Sequence, residues 1–374
     1  MKIIFKIIIY SIVSIIALIF TTEILLRITC GKKLSRWSNL PYIPDSTLGY
    51  RYVPNAKGVF SNVAFTNEYS VNSLGFSGMD FSMNKKAGFF RIIVIGTSDE
   101  DGIHTDGSLN YVFLLRDYLQ KYNIDVVNLA IEGRERSMIN INFIRSECVK
   151  YNPDLILYKI SEFPFIYKKR YRYTYKDVLI AYAEPNESLD SSKLFIDKYI
   201  NNSSNTVKLY NWSYAYRYLC KYYIDNKDDN ENKIVKYIKE KNILNDRLVT
   251  AYVRGTINNL SKKRKSKKEL EKYKPIKYSE KESLEVLDSL NRELALKNIK
   301  FYVYDDYLSA NANKCKKLCS RYNIGYISLD IPYKKEYSFG DKDGHSSSEG
   351  HKVIANYFYK VLKDSIIPRN LLAN

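Results

Sequence analysis

The chain has 374 residues, a formal net charge of +18 and the apolar content of a globular protein. That length can bury a large core in one or two domains. The charge implies attraction to anionic partners, although the abundance of Lys, Asn, Ile and Tyr also fits an AT-rich coding sequence. The five cysteines imply no disulfide framework, and the lack of a C-x-x-C pair argues against a zinc site.

From Ile7 to Thr22 there is no charge, and Ile, Val, Leu and Phe dominate. With its flanks this stretch is long enough to cross a ~30 Å hydrocarbon core as a helix. Lys2 and Lys6 precede it as in a basic n-region, and no A-x-A-like site follows. Residues 1–30 are therefore expected to be an uncleaved signal anchor. Arg27, Lys32, Lys33 and Arg36 argue for a cytoplasmic C-terminal part by the positive-inside rule. The short N-terminal tail argues the other way, and the extracytoplasmic side is the expectation adopted. Residues 31–88 are rich in Pro, Gly, Asn and Ser and read as a linker and lead-in, with an edge strand near Asn67–Val71.

A regular alternation begins at Phe89. Arg91–Ile95, Asp125–Leu129 and Asp154–Tyr158 read as buried strands, separated by helices around Tyr111–Leu119 and Met138–Val149. Residues 168–280 break the rhythm. They read as a largely helical insertion, with helices near Lys208–Tyr223 and Asn232–Ile243. The run at 261–268 (SKKRKSKK) is a solvated loop or a contact for anionic lipid or polymer. The alternation resumes with a helix at Leu284–Leu294, strands at Ile299–Tyr304 and Gly325–Leu329, and helices at Asn311–Tyr322 and Glu349–Leu362. Five parallel strands covered on both faces are expected over residues 89–366. Ligands of such sheets bind beyond the carboxyl ends of the strands.

Ser98 lies at one such end, in Gly96-Thr97-Ser98. A strand-to-helix turn projects a Ser hydroxyl and leaves backbone N–H groups free beside it. Gly133, after the second strand, suits close backbone approach and donation to an oxyanion. Two of the three histidines fall in Asp343-Gly344-His345 and Glu349-Gly350-His351. His345 is placed to take the Ser98 proton, with Asp343 fixing its tautomer and Asp341 a second candidate for the acid. His351 reads as structural. His104, on the loop after Ser98, reads as a pocket residue. No cofactor and no metal site is expected, and no nucleic-acid module is present.

Together these pieces resemble the SGNH/GDSL hydrolase family. The resemblance is carried by Gly-x-Ser-x-x-x-Gly (Gly96, Ser98, Gly102), Asn-x-x-x-x-Gly (Asn128, Gly133) and a late Asp-x-His before a helix. Glu23-Ile24-Leu25-Leu26-Arg27, Leu48-Gly49-Tyr50-Arg51 and Asn72-Ser73-Leu74-Gly75-Phe76 look like a membrane-anchored subgroup of it. The resemblance implies a three-layer α/β/α sandwich of the flavodoxin-like kind. It also implies a serine esterase or O-acyltransferase acting on a small acyl ester, such as acetyl, of an envelope glycan or related polymer. Ser98, His345 and Asp343 would form the triad, and Ser98 and Gly133 would supply N–H groups to the oxyanion. Two departures stand out. Thr97 replaces the family's Asp, and the third block's Asn is missing from Lys159-Ile160-Ser161-Glu162-Phe163-Pro164. One lost oxyanion donor costs about 2.7–4 kcal/mol, which Ser161 is placed to offset. The alternative is a catalytically impaired relative that binds glycan or organises partners at the membrane.

Overall fold

The computed structural model of the chain describes residues 2–30, 40–61, 65–133, 137–160, 163–169, 171–176, 178–182, 189–200, 205–226, 236, 238, 256–258, 275–305, 312–332, 334–340 and 344–372. The chain divides into two compact units. The larger spans Leu40–Tyr173, Tyr182–Pro185 and Lys262–Asn374; the smaller spans Met1–Asn39, Thr174–Ala181 and Asn186–Ser261.

The larger unit is built on five parallel strands: β1 (Phe90–Ile95), β2 (Ile124–Asn128), β3 (Leu155–Lys159), β4 (Lys300–Tyr304) and β5 (Gly325–Ile327). Their order across the sheet is β5-β4-β3-β1-β2. β1 pairs in parallel with β2 (Ile92 opposite Val126) and with β3 (Ile93 opposite Ile156). It is buried at every position, which is why it reads as a continuous apolar run rather than an alternating one.

The pleat sends alternate side chains to opposite faces. Phe90, Ile92 and Val94 of β1 meet Leu155, Leu157 and Tyr304 in one core cluster. Tyr111, Val112, Leu115 and Leu119, from the helix Tyr111–Leu119, and Ile354, Ala355 and Phe358, from the helix Ser348–Val361, close that cluster. Ile93, Ile95 and Tyr158 point the other way. The helices Ser137–Ser146 and Glu280–Ala295 pack together on that side, joined by Arg145 Nε to Glu293 Oε2 at 3.0 Å. The Glu280 helix buries Leu284, Leu287, Leu290 and Leu294, the spacing of one helical stripe. Each such side chain contributes about 1.5–3 kcal/mol on burial. The result is a three-layer α/β/α sandwich.

The larger unit also contains two hairpins where the sequence reads as linker and lead-in. Tyr42–Asp45 pairs antiparallel with Gly49–Tyr52, and Lys57–Ser61 with Thr66–Ser70. Asp45 Oδ1 accepts the N–H groups of Thr47 and Leu48 at 2.9 and 2.7 Å, and its other oxygen takes Arg51. Asn72 Oδ1 accepts from Leu74 and Phe76, both at 3.0 Å, in a turn that needs Gly75 at φ +82. A Cβ on Gly75 would stand 2.8 Å from the Tyr52 carbonyl. These short contacts give the Leu48–Arg51 and Asn72–Phe76 motifs a structural reason.

The smaller unit holds α1 (Lys2–Cys30), whose Ile3–Thr29 segment is long and apolar enough to cross a membrane. It also holds helices at Leu189–Phe195, Asn205–Trp212 and Tyr214–Asn226. Among its described residues the insertion holds short strands beside these helices. Ile276–Lys277 pairs antiparallel with Ile166–Tyr167, and Thr256–Asn258 pairs in parallel within Val178–Tyr182. The basic run 261–268 lies outside the described residues, as does almost all of the helix expected at 232–243.

Arg91 is the largest charged group within the sheet, its side chain 2% exposed. Nε donates to Asp125 at 2.8 Å, and Nη1 donates to the carbonyls of Met83 and Tyr151 at 3.0 and 2.8 Å. Truncation would leave a void and two orphaned carbonyls, while Asp125, about a quarter exposed, would recover some hydration. Arg91→Ala is expected to lower the unfolding free energy by about 3 kcal/mol. Urea denaturation of the full chain in detergent measures this as a shift in midpoint.

Candidate active site

β1 ends at Ile95, and after Gly96 and Thr97 the four-residue helix α2 (Ser98–Asp101) starts. Glu100 turns back so that its Oε2 accepts the Thr97 N–H at 2.9 Å. That places its carboxylate where a Gly96 side chain would be, since a Cβ there would stand 2.2 Å from Glu100 Oε2. Gly102 ends the helix in the left-handed region at φ +78 and abuts Asn110, whose Nδ2 donates to the Asp99 carbonyl at 2.8 Å. Both glycines of the Gly-x-Ser-x-x-x-Gly pattern are thus required by close approach. Ser98 is the first residue of α2, and the N–H groups of a helix's first turn have no intrahelical acceptor.

His345 Nε2 lies 2.7 Å from Ser98 Oγ. The next residue carries the link between the two segments: the Ser346 N–H donates to Asp99 Oδ1 at 3.0 Å. Asp99 Oδ2 faces Lys159 Nζ at 3.3 Å, and Glu100 Oε1 faces the same nitrogen at 3.4 Å. Lys159 ends β3, and its side chain is 3% exposed. Burial acts to raise the Asp99 carboxyl. The Lys159 charge, with His351, His345 and the Ser346 N–H, overcomes it and holds the group well below the usual carboxylate range.

His104 is buried, and its ring stacks on that of His345, with centroids 3.7 Å apart and planes at 11°. Phe65 meets the His104 ring edge-on at 5.1 Å. The expected pocket residue therefore forms a wall against the face of His345. His351 is fully buried, and its Nδ1 accepts the Tyr111 N–H at 3.4 Å. Burial lowers it to about 4, so it is neutral at pH 7 and sits in the frame rather than the chemistry. Ser347 caps the helix Ser348–Val361 by accepting the Gly350 N–H at 3.2 Å. Asp343, Asp341 and Ser161 lie outside the described residues.

Asn128 does not reach for substrate. Its Nδ2 donates to the Glu100 carbonyl at 2.7 Å, and its Oδ1 accepts the Ala130 N–H at 3.1 Å. It ties the end of β2 to α2. Gly133, at φ +133, follows Glu132, whose N–H donates to Asp101 Oδ2 at 3.0 Å. The Glu132 carboxylate takes Arg172 Nη1 at 3.1 and 3.0 Å and the Tyr42 hydroxyl, and the Tyr50 hydroxyl donates to the Glu132 carbonyl at 2.7 Å. Arg172 lies over the Tyr42 and Tyr50 rings at 5.1 and 4.4 Å. Burial would raise Glu132, but Arg172 and the Tyr42 hydroxyl bring it down to about 2. Asp101 and the Tyr42–Glu132–Arg172 cluster were not foreseen from the sequence. Their residues are scattered, and only the Leu48–Arg51 motif hinted that this segment matters.

No protein-family model matches the chain, and no curated protein matches it. Solved structures do. The psychrotrophic esterase EstA from a Pseudoalteromonas species is 10% identical, covering 76% of this chain and 99% of its own, with a TM-score of 0.37. A lipolytic protein of the G-D-S-L family from Desulfitobacterium hafniense is 10% identical over 73% of this chain and 99% of its own, with a TM-score of 0.33. An acylhydrolase from Bacteroides fragilis is 10% identical over 77% and 91%, also with a TM-score of 0.33. The fold assignment rests on the strand order itself.

Asp101 accepts from Tyr52, Ser77 and the Glu132 N–H. Burial, reinforced by the Glu132 charge, outweighs these bonds and pushes its carboxyl up to about 7. A raised carboxyl favours the protonated native state. Its contribution is full below pH ~4 and is lost as pH rises through about 7. The Glu132 contribution runs oppositely but falls away only below pH ~4.5, outside that window. Asp101→Asn is therefore expected to gain Tm relative to wild type as pH goes from 5 to 8. Thermal scans of both full-length proteins measure the difference, and a pH-independent gap would refute it.

Proposed function

We propose that this chain is a membrane-anchored serine esterase or O-acyltransferase of the SGNH/GDSL type. The observation that carries the reading is the 2.7 Å approach of His345 Nε2 to Ser98 Oγ at the carboxyl end of the central strand. A hydroxyl at hydrogen-bond distance from an imidazole is the nucleophile–base pair of acyl transfer. The turn that holds Ser98 and the Ser346–Asp99 bond that holds His345 support it.

The steps follow from the groups. Ser98 Oγ attacks the acyl carbonyl as its proton passes to His345 Nε2. The tetrahedral oxyanion takes N–H donors from Ser98 and Gly133. Collapse breaks the ester bond, and His345 returns the proton to the departing alcohol oxygen. The acyl-Ser98 ester is then attacked by water, giving hydrolysis, or by a sugar hydroxyl, giving transfer; His345 takes the attacking group's proton and returns it to Ser98 Oγ as the acyl–Oγ bond breaks. Asp343 is assigned to the second ring nitrogen of His345. His104, stacked on the ring, restrains it in the plane that faces Ser98.

The substrate is assigned as a small acyl ester, such as acetyl, on an envelope glycan or related polymer. The net charge of +18 supports an anionic polymer or membrane surface as its setting. The membrane is reached through α1, with the catalytic part outside. The run 261–268 adds a contact for anionic lipid or polymer.

A fluorophosphonate probe tests the nucleophile. The full-length protein in detergent is expected to label, Ser98→Ala not at all, and His345→Ala about 10²–10⁴-fold more slowly. Absence of labelling beside a reactive control esterase would remove Ser98 from the role.

A further inference from the structure

The motif Glu23-Ile24-Leu25-Leu26-Arg27 has no part in ester chemistry, yet it is bound as closely as the catalytic loops. Glu23 is 9% exposed. Its Oε1 accepts the Tyr214 N–H at 2.8 Å and Arg27 Nε at 2.9 Å. Its Oε2 accepts the Ser213 hydroxyl at 3.0 Å and the Ala215 N–H at 3.1 Å. Tyr214 and Ala215 open the helix Tyr214–Asn226. A carboxylate of α1 thus caps another helix, where orphan N–H groups and the dipole favour an anion. Arg27 Nη2 donates to the carbonyl of Trp212, the last residue of the helix Asn205–Trp212, at 2.8 Å. The corner between these two helices is therefore fixed to one turn of α1.

That attachment sets a depth. A ~30 Å hydrocarbon core takes ~20 helical residues. The uncharged stretch Ile7–Thr22 is bracketed by Lys6 and Glu23. With Lys6 extended toward its own boundary, Glu23 and Arg27 fall at the opposite one, and the Trp212 corner falls with them. The helix Asn205–Trp212 buries Val207 and Tyr210. Its other face exposes Lys208, with Leu209 41% and Trp212 65% exposed. Trp belongs at the headgroup boundary, and a basic residue beside Leu and Trp is the pattern of a helix lying in that plane. Arg217, stacked over Tyr214 at 4.5 Å, adds a cation beside the corner.

We propose that the Lys208–Leu209–Trp212 face is a second membrane contact. It is a short amphipathic helix in the headgroup boundary, held at that depth by the Glu23 cap. The proposal rests on the reading of α1 as a membrane span. Its role is to fix the rotation and tilt of α1 against the helices docked on it, since eight residues are too few to anchor a protein alone.

The chain has two tryptophans, Trp37 and Trp212, so Trp37→Phe leaves Trp212 as a single reporter. The full-length variant is reconstituted in vesicles of phosphatidylcholine and phosphatidylglycerol. The lipids are brominated either near the carbonyl end of the acyl chain or near its middle. Shallow bromines are expected to quench Trp212 about twofold more than deep ones, as for a boundary residue. Carbonate extraction is run in parallel. Release by carbonate would sink both the span and this proposal. Retention with Trp212 unquenched would sink this proposal alone, whether solvent or a second copy covers the face. Glu23→Gln in the Trp37→Phe background is expected to stay in the carbonate pellet and lose at least half of the quenching. Unchanged quenching would rule out the cap as the device that sets the depth.

Discussion

A single buried ammonium group joins the parts of the candidate site. Lys159 Nζ sits between Asp99 and Glu100, and both acids belong to the helix that presents Ser98. Asp99 in turn receives the Ser346 N–H, one residue from His345. Without the lysine, Asp99 and Glu100 would lose the cation that they share. Like charges in that setting repel or take up a proton. Deleting one partner of a buried pair costs about 3–5 kcal/mol, although the intact pair adds little net stability. The value of Lys159 is therefore positional, since it sets where the helix bearing Ser98 and the loop bearing His345 meet.

A second network repeats this logic on the other side of α2. Asp101 receives the Glu132 N–H, and Glu132 is held by Arg172 and two tyrosines from the first hairpin. The short helix is gripped at its second residue, Asp99, from the β3 side, and at its last, Asp101, from the hairpin side. The loop bearing Gly133 is shaped by the same contacts. A four-residue helix has almost no stability of its own, so tertiary bonds must fix where Ser98 points.

The sheet was legible because its strands are buried on both faces and read as unbroken apolar runs, such as Arg91–Ile95 and Asp154–Tyr158. The helices were legible from stripes such as Leu284, Leu287, Leu290 and Leu294. Ser98, His345 and Gly133 could be picked out because each follows a strand or precedes a helix. Of the hairpins at 42–70, only the strand Thr66–Ser70 was legible, as the edge strand expected near Asn67–Val71. Their strands are short and tyrosine-rich, and their stability comes from Asp45, Asn72 and ring packing rather than alternation. The role of Asp99, Lys159 and Asp101 was not legible. A charged residue beside a strand end looks solvated in sequence, and only the fold reveals that Asp99 pairs with Lys159 while Asp101 is buried against Tyr52, Ser77 and Glu132. Asp343 was singled out but lies outside the described residues, so the acid remains an assignment from spacing.

Ser98 and His345 are separated by 247 positions in the chain. Ribosomes add about 5–20 residues per second, so Ser98 emerges roughly 12–50 s before His345. Through that interval β1 and Ser98 exist without His345. The insertion lengthens the delay, because its residues separate the two halves of the sheet. On a growing chain the pair of Ser98 and His345 is thus incomplete until the C-terminal segment has been made.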